Sequence, residues 1–367
     1  MSDARVRNDD DYPRDLPDLL AEVAARGGSD LHITVGRCPT MRLNGELIEL
    51  DAPVLRARTT RALVYSIMAE DQRDTLERQR EIDFAFSIAR VARYRINAYF
   101  QRGSVGAACR YLPAAAGCFA DLGLPEIMAE FAMKPRGLVL VTGPTGAGKT
   151  TTLASVVDYI NCNREAHIIT IEDPVEYVHS HKRSIVTQRE VGSDTVGFAE
   201  ALRHVLRQDP DVVVIGEMRD LDTIRAALTA AETGHLVFAT LHTQDSAQTI
   251  DRIVDVFPPV QQQQVRIQLA STLQGIVSQQ LLPNPEGTGR VLVCEVLVPT
   301  PAVRNLIRES KTHQLATVMQ TGKQYGMVTM DESLAEKYRS GLISYEMVLS
   351  QAHDPGVLRS MIDSTER

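Results

Sequence analysis

Residues 138–152 read LVLVTGPTGAGKTTT, an apolar run followed at once by a glycine-rich turn. The spacing Gly143-x-x-x-x-Gly148-Lys149-Thr150 is the P-loop pattern, in which backbone N–H groups turn inward to cradle phosphates. The lysine brings positive charge to the β- and γ-phosphates, the hydroxyl of Thr150 can ligate Mg²⁺, and a helix beginning near Gly148 directs its positive end at the anion. The predicted nucleotide-binding residues are Gly143, Pro144, Thr145, Gly146, Ala147, Gly148, Lys149, Thr150 and Thr151.

Three more apolar runs follow along the chain, at 167–171, 212–215 and 236–241, with helical stretches between them. Buried parallel strands have this continuous apolar character, and ligands bind at the carboxyl ends of such strands. We therefore expect the residues after each run to lie at the edge that carries the P-loop. The residues that follow the three runs are Glu172, Glu217 and His242.

Each of these residues, taken alone, is equally compatible with a solvated turn, and only their joint placement favours a catalytic role. Hydrolysis needs a carboxylate to position the attacking water, while a metal and cations neutralise the transferring phosphoryl group. Gly216 stands where many P-loop NTPases carry an aspartate. Mg²⁺ is therefore expected on Thr150, the phosphates and waters oriented by Glu172 or Glu217, and the sequence does not divide the two roles between the glutamates.

Composition excludes several classes of protein. The 367 residues, 44% of them hydrophobic, are enough for a large core and two or three domains. The net charge of −8 argues against broad binding of nucleic acid. No apolar run approaches the 18 residues of a membrane helix, and the charged N-terminus lacks the apolar core of a secretory signal. The five cysteines are far apart, which indicates neither a zinc site nor a disulfide framework and fits a cytosolic protein.

The pattern of helices, strands and breaks predicts an α/β protein with an α+β domain before the P-loop. An amphipathic helix over 16–25, a hairpin turning at Asn44-Gly45 and three strands within 81–112 form that first domain. The segment PAAAGCFADLGLPE, which is small and bounded by prolines, is typical of a linker. The predicted divisions are a disordered tail at 1–15, the first domain at 16–113, a linker at 114–124, an ATPase core at 125–300 and a C-terminal helical region at 301–367.

Four motifs in this order resemble those of the ring-forming type II/IV secretion ATPases, and within that superfamily the chain is most similar to the ATPases of type IV pilus retraction and twitching motility. Further stretches carry the same resemblance: SDLHITVG, SIVTQREVG, LRQDPD and AVRNLIRES. The four motifs are the Walker A segment GPTGAGKTTT (143–152), the Asp box IITIEDPVEYVH (168–179), the Walker B segment DPDVVVIGEMRD (209–220) and the His box TGHLVFATLHT (233–243).

The resemblance implies a RecA-like motor domain, a smaller PAS-like N-terminal domain and a homohexameric ring that uses ATP and Mg²⁺. It makes Glu172 the acid of the Asp box and Glu217 the catalytic glutamate. His235 and His242 become the His-box residues that sense the γ-phosphate. Arginines from the N-terminal domain are expected to complete the site, although their alternation along a strand equally suits a solvated sheet face. The candidate arginines are Arg93, Arg95 and Arg110.

A C-terminal segment resembles a helix motif associated with retraction. Val303, Leu306 and Ile307 recur at helical spacing on one face, with Arg304 and Arg308 on a neighbouring face. The spacing alone favours an amphipathic helix packed on its own domain, and the resemblance adds a role in retraction. The residues of the motif are Ala302, Val303, Arg304, Asn305, Leu306, Ile307, Arg308 and Glu309.

The expected function is pilus retraction through pilin depolymerisation. The expected agent is a cytoplasmic ring that is peripheral to the inner membrane. Its expected partners are an inner-membrane platform protein and, as a further candidate, a second retraction ATPase, with no specific nucleic acid. Three alternatives remain open from the sequence: an ATPase of pilus assembly or type II secretion, an ATPase of a DNA-transfer system, and a nucleotide-binding regulatory subunit with little turnover. Assembly ATPases usually carry a longer N-terminal region and often a four-cysteine zinc segment, and this sequence shows neither.

Overall fold

The computed structural model describes residues 12–43, 45–88, 92–112, 117–287 and 289–363. The chain divides at Ala114/Ala115 into two compact units, and each is described by itself. The expectations for most of the N-terminal tail, for Asn44 at the hairpin turn and for the first part of the linker lie outside the described residues. In the part of the chain that the structure describes, every helix is too short or too polar to span a bilayer.

The described part of the first unit contains an antiparallel sheet in the order β3-β2-β1-β6-β5-β4, with three helices. The strands are β1 (Asp30–Ile33), β2 (Thr40–Leu43), β3 (Glu46–Glu49), β4 (Glu81–Ile88), β5 (Ala92–Gln101) and β6 (Ser104–Leu112). The helices are α1 (Leu16–Ala25), α2 (Ala57–Ser66) and α3 (Glu70–Gln79).

Strand β5 shows why this sheet has one covered face. Its residues alternate, with Tyr94 and Ile96 fully buried in the core and Arg93 and Arg95 on the opposite, more exposed face. Side chains of a strand point to opposite faces in turn, so this alternation follows directly from the sequence ARYRIN. The hydroxyl of Tyr94 donates to the carbonyl of Leu20 at 2.6 Å, which ties α1 to the sheet.

The described part of the second unit contains a sheet in the order β13-β12-β7-β11-β10-β8-β9, in which only β13 runs antiparallel to its neighbour. The strands are β7 (Gly137–Thr142), β8 (His167–Glu172), β9 (Ile185–Glu190), β10 (Val212–Ile215), β11 (Leu236–Leu241), β12 (Leu273–Pro283) and β13 (Arg290–Leu297).

Helices cover both faces of this sheet. They are α4 (Ile127–Ala132), α5 (Lys149–Asn163), α6 (Phe198–Val205), α7 (Leu221–Glu232), α8 (Ser246–Asp255), α9 (Pro259–Thr272), α10 (Pro301–Arg308), α11 (Leu315–Thr321), α12 (Met330–Arg339), α13 (Tyr345–Gln351) and α14 (Pro355–Asp363), with short 3-10 turns at Thr312–Gln314 and Lys323–Tyr325.

The apolar runs are continuous because these strands are buried on both sides. In β7, Leu138 and Leu140 face a core shared with α7 and α9, while Val139 and Val141 face a second core shared with α5. All six residues of β7 and of β11 are buried. The pattern that predicted central parallel strands therefore has a direct physical cause.

The segment 117–124, expected as part of the linker, packs on the second unit. The hydroxyl of Ser155 in α5 donates to the carbonyl of Gly117 at 2.8 Å. The ring of Phe119 stacks on Tyr159 at 4.8 Å between centroids, and Leu124 is buried beside them. This segment thus forms a cover over α5.

Candidate nucleotide site

The strand register brings the predicted site residues to one edge of the sheet. Thr142, the last residue of β7, pairs with Leu241, the last of β11. Ile215 at the end of β10 pairs with Ala239 of β11 and Ile171 of β8. All these strands are parallel, so the segments that follow them begin at the same edge. Those segments contain the P-loop, Glu217 and His242, and Glu172 is the last residue of β8.

The P-loop backbone has the shape that phosphate binding needs. Gly143 and Gly148 have φ angles of 140° and 83°, which L side chains rarely adopt. A Cβ on Gly143 would lie 2.2 Å from the carbonyl oxygen of Gln279. The backbone N–H groups of Gly146 and Gly148 have no acceptor among the described residues. Free N–H donors ahead of the N-terminus of α5 fit an anionic ligand.

Lys149 lies within this loop. Its Nζ donates to the carbonyl oxygens of Gly143 at 2.7 Å and Pro144 at 3.0 Å. Burial lowers the pKa of Lys149, and the negative charge of Glu217 opposes that shift. The lysine therefore lies near enough to the predicted catalytic glutamate to feel its charge, and its cationic head lies within the loop where phosphates are expected.

Two basic side chains, those of Arg219 and His242, contact the carboxylate of Glu217. Its Oε2 lies 2.7 Å from Nε of Arg219 and 3.4 Å from Nε2 of His242. The side chain of Glu217 is 17% exposed, while those of Arg219 and His242 are largely open to solvent. The sequence analysis did not predict the contact between Glu217 and Arg219. The two-residue spacing in Glu217-Met218-Arg219 is the sequence feature that could have indicated it.

Glu172 sits in a different environment. It accepts hydrogen bonds from Thr170 Oγ1 at 2.6 Å and from Gln188 Nε2 at 3.1 Å. Burial raises the pKa of Glu172 above its usual 4.5, and these two hydrogen bonds partly offset the rise. Glu172 and Glu217 therefore differ in environment, which the sequence could not show.

Thr150 and Glu172 line a common cavity with His179 and Gly216. Its volume of about 30 Å³ is enough for an ordered water. The hydroxyl of Thr150 has no hydrogen-bond partner among the described residues, and those residues contain no group of three or more His, Cys, Asp or Glu side chains that could hold a metal by themselves. The donor set fits Mg²⁺ held by one hydroxyl, phosphate oxygens and waters, since Mg²⁺ keeps several waters.

Tyr177 of the Asp box links the P-loop helix to Glu172. Its hydroxyl lies 3.0 Å from Oγ1 of Thr151. Its carbonyl accepts from Gln188 Nε2 at 2.7 Å, and the same amide group donates to Glu172. This chain of contacts was also missed, because the predicted role of the Asp box rested on Glu172 alone.

His235 is not brought together with the other site residues. It precedes β11, and its carbonyl accepts from the N–H of Gly137 at the start of β7. Its ring contacts the carbonyl of Ala230 at 3.0 Å. The length of β11 separates it from His242 by roughly 20 Å, at about 3.3 Å per residue. This placement argues against direct sensing of a γ-phosphate by His235 within its own chain.

The three candidate arginines lie on one face of the first unit's sheet. Arg95 and Arg110 are register partners on β5 and β6. Arg110 Nε lies 3.0 Å from Asp30 Oδ1, and Arg95 Nε lies 3.9 Å from Asp83 Oδ1. Together they border an open cavity of about 310 Å³. Within the first unit both arginines therefore have carboxylate partners.

The predicted retraction motif forms α10, and its two arginines differ. Val303 and Ile307 are fully buried. Arg304 donates to the carbonyls of Ala270, of Ser271 at 3.1 Å and of Leu273 at 2.9 Å, at the C-terminal end of α9. Burial lowers the pKa of this guanidinium. The exposed residues of the motif are Ala302, Asn305, Arg308 and Glu309, and Leu306 is half-buried.

The sequence matches known proteins over nearly its whole length. A family model described as Type II/IV secretion system protein matches residues 7–350. The type IV pilus retraction ATPase PilT of Pseudomonas aeruginosa is 49% identical over 341 residues, which cover 93% of this chain and 99% of that protein. A twitching motility protein of Neisseria gonorrhoeae is 47% identical over 316 residues, covering 86% of this chain and 84% of that protein.

The fold has a solved counterpart as well. A crystal structure of the pilus retraction motor PilT with bound ADP is similar with a TM-score of 0.89 and 50% identity, covering 94% of this chain and 99% of that chain. This similarity confirms the predicted fold class, with an antiparallel N-terminal sheet domain and a second α/β domain with a mixed sheet.

Proposed function

This chain belongs to the family of type II/IV secretion system proteins, and from that premise we propose that it is an ATPase that powers type IV pilus retraction and twitching motility. The observation that carries the proposal is the convergence of the P-loop, Glu172, Glu217 and His242 at one sheet edge. The near full-length likeness to a retraction ATPase supports the choice among the functions of the family.

Each residue of the nucleotide site has a separate proposed role. Glycine N–H groups and Lys149 bind the phosphates, and His242 couples Glu217 to the γ-phosphate. Glu217 orients the attacking water. It lies beside His242, and its negative charge acts on Lys149. When bound, Mg²⁺ would neutralise charge on the phosphates, held through Thr150 and through waters that contact Glu172. The cavity shared by Thr150 and Glu172 supports this second assignment.

Assembly and location are proposed from the family. We propose a homohexameric ring in the cytoplasm, peripheral to the inner membrane, acting on a platform protein of the pilus, with a second retraction ATPase as a candidate partner. Nucleotide contacts that differ between two arrangements of the ring would let hydrolysis do mechanical work. From the family we also propose that Arg93, Arg95 and Arg110 bind nucleotide phosphates, and Arg95 and Arg110 are register partners on β5 and β6.

The enzymatic part of the proposal is tested by ATP turnover of the purified protein and of two variants, Lys149→Ala and Glu217→Ala. Each variant is expected to lose at least about a hundredfold in turnover, because each removes charge stabilisation or water positioning in the transition state. Arg183→Ala, at an exposed ion pair with Glu165, is a matched control expected to keep wild-type turnover. Unchanged turnover in both site variants would rule out the proposed chemistry, and negligible turnover of the wild type would favour a regulatory subunit.

A further inference from the structure

Gln279 is a polar side chain inside the sheet, at a position that no motif contains. It lies on β12, directly after Ser278, which pairs with Thr142 at the end of β7. Its side chain is 1% exposed. A buried amide is costly unless it is hydrogen-bonded, so its partners indicate why it is there.

The amide nitrogen and the amide oxygen of Gln279 both form hydrogen bonds, one to the P-loop and one to its helix. Nε2 of Gln279 donates to the carbonyl of Ala147 at 2.6 Å. Oε1 accepts from Thr152 Oγ1 at 3.0 Å, in the first turn of α5. Ala147 and Thr152 are themselves buried, at 2% and 3% exposure. One buried side chain thus joins the loop to the start of its helix.

The bond to Ala147 has a geometric consequence at Gly148. The carbonyl of Ala147 and the N–H of Gly148 belong to one planar trans peptide, so they point in opposite directions. Holding the carbonyl against β12 therefore directs the N–H of Gly148 away from β12. That N–H has no acceptor among the described residues and is one of the donors expected to meet a phosphate.

We propose that Gln279 is a positioning residue that orients the Ala147–Gly148 peptide for phosphate binding. It acts through the loop and does not touch the nucleotide. This inference rests on the proposed nucleotide site and names a residue that fixes its geometry before the ligand arrives. Preorganised donors cost less to order on binding, so the effect is expected in nucleotide affinity.

The test compares two variants of one strand by titration with ADP. Gln279→Leu keeps the approximate size of the side chain and removes both hydrogen bonds. Ser278→Ala removes the neighbouring buried bond between Ser278 Oγ and Thr142 Oγ1, at 2.9 Å, and leaves the Ala147 carbonyl untouched. Both are expected to lower the melting temperature. Only Gln279→Leu is expected to raise the Kd for ADP, by about tenfold, the equivalent of one hydrogen bond.

Gln279→Glu gives a second readout if the leucine variant does not fold. It keeps an acceptor for Thr152, but as a carboxylate it has no donor for the Ala147 carbonyl, so a similar loss of ADP affinity is expected at pH 8. A Kd for ADP equal to that of the wild type in whichever of Gln279→Leu and Gln279→Glu folds would overturn the inference. An equal loss in Ser278→Ala would also overturn it, because the effect would then be general destabilisation of β12. Absence of ADP binding by the wild type would instead contradict the proposed function.

Discussion

Nε2 of His242 lies 3.4 Å from Oε2 of Glu217, across the carboxyl ends of the neighbouring parallel strands β10 and β11. The two residues are 25 positions apart in the chain. Their approach follows from the register of β10 and β11, which is fixed by buried valine, isoleucine and leucine side chains. The contact therefore joins the Walker B segment to the His box through the sheet itself.

The first prediction concerns this pair. His242→Ala is expected to lower kcat for ATP hydrolysis by about tenfold to a hundredfold, because a polar group aimed at developing charge acts mainly in the transition state. The Kd for ADP is expected to stay within about threefold of wild type. His204→Ala is a suitable control, since His204 is exposed on α6 and its ring pairs with Glu200 of the same helix. Equal turnover of both histidine variants would argue against a role for the His242–Glu217 contact.

The second prediction concerns pH. If Glu172 acts as a carboxylate, activity falls as pH is lowered through its pKa, which burial raises above 4.5. The acid limb of the kcat profile is therefore expected above pH 4.5. Thr170→Val removes a hydrogen bond that favours the charged form, so it is expected to move the acid limb to higher pH. A profile that does not respond to this change would show that another group sets the limb.

The third prediction separates the two arginines of α10. Arg304→Gln is expected to cost about 2 kcal/mol of stability, because it leaves carbonyls at the end of α9 without a charged donor. Arg308→Gln changes an exposed side chain and is expected to cost less than about 0.5 kcal/mol. Urea unfolding measures both free energies of unfolding.

The exposed face of α10 is tested by a retraction assay of Arg308→Gln. Normal ATP turnover with loss of retraction would show that this face has a role in retraction in addition to folding. Full retraction would contradict that role.

The fourth prediction concerns Glu295, which accepts from the N–H and the hydroxyl of Ser246 at 2.7 Å each at the start of α8. Burial raises its pKa above 4.5. A raised folded pKa contributes stability that is fully present below the unfolded value of 4.5 and is lost as pH rises through the folded pKa. Glu295→Gln keeps an acceptor without the charge, so its melting temperature relative to wild type is expected to be higher at pH 8 than at pH 5. An unchanged difference at the two pH values would contradict this account.

The strand ends of the site were predictable because their signal is local. Continuous apolar runs identify β7, β8, β10 and β11 without knowledge of their partners, and parallel pairing places their carboxyl ends together. The same pattern failed for β12, whose sequence LQGIVSQQLLP is interrupted by glutamines. Gln279 is buried there because the P-loop supplies its hydrogen bonds, and that contact spans 132 positions.

Distances along strands and contacts between distant segments could not be predicted either. His235 and His242 are close in sequence, yet they lie at opposite ends of the extended strand β11. The environments of Glu172 and Glu217 differ through Thr170 on β8, Gln188 on β9 and Arg219 after β10, and these contacts depend on strand pairing and on the folded segment after β10. The sequence therefore predicted which strand ends carry the site residues and left the division of roles between the two glutamates open.

The most direct test of the central proposal is the number and length of pili on cells that lack this protein, together with fibre shortening followed in time. A retraction ATPase removes pilin from the fibre base, so its loss is expected to leave abundant, long pili that do not shorten. Restoring the wild-type chain is expected to restore shortening, and restoring the Glu217→Ala variant is not. Cells without any pili would contradict retraction and indicate an assembly ATPase.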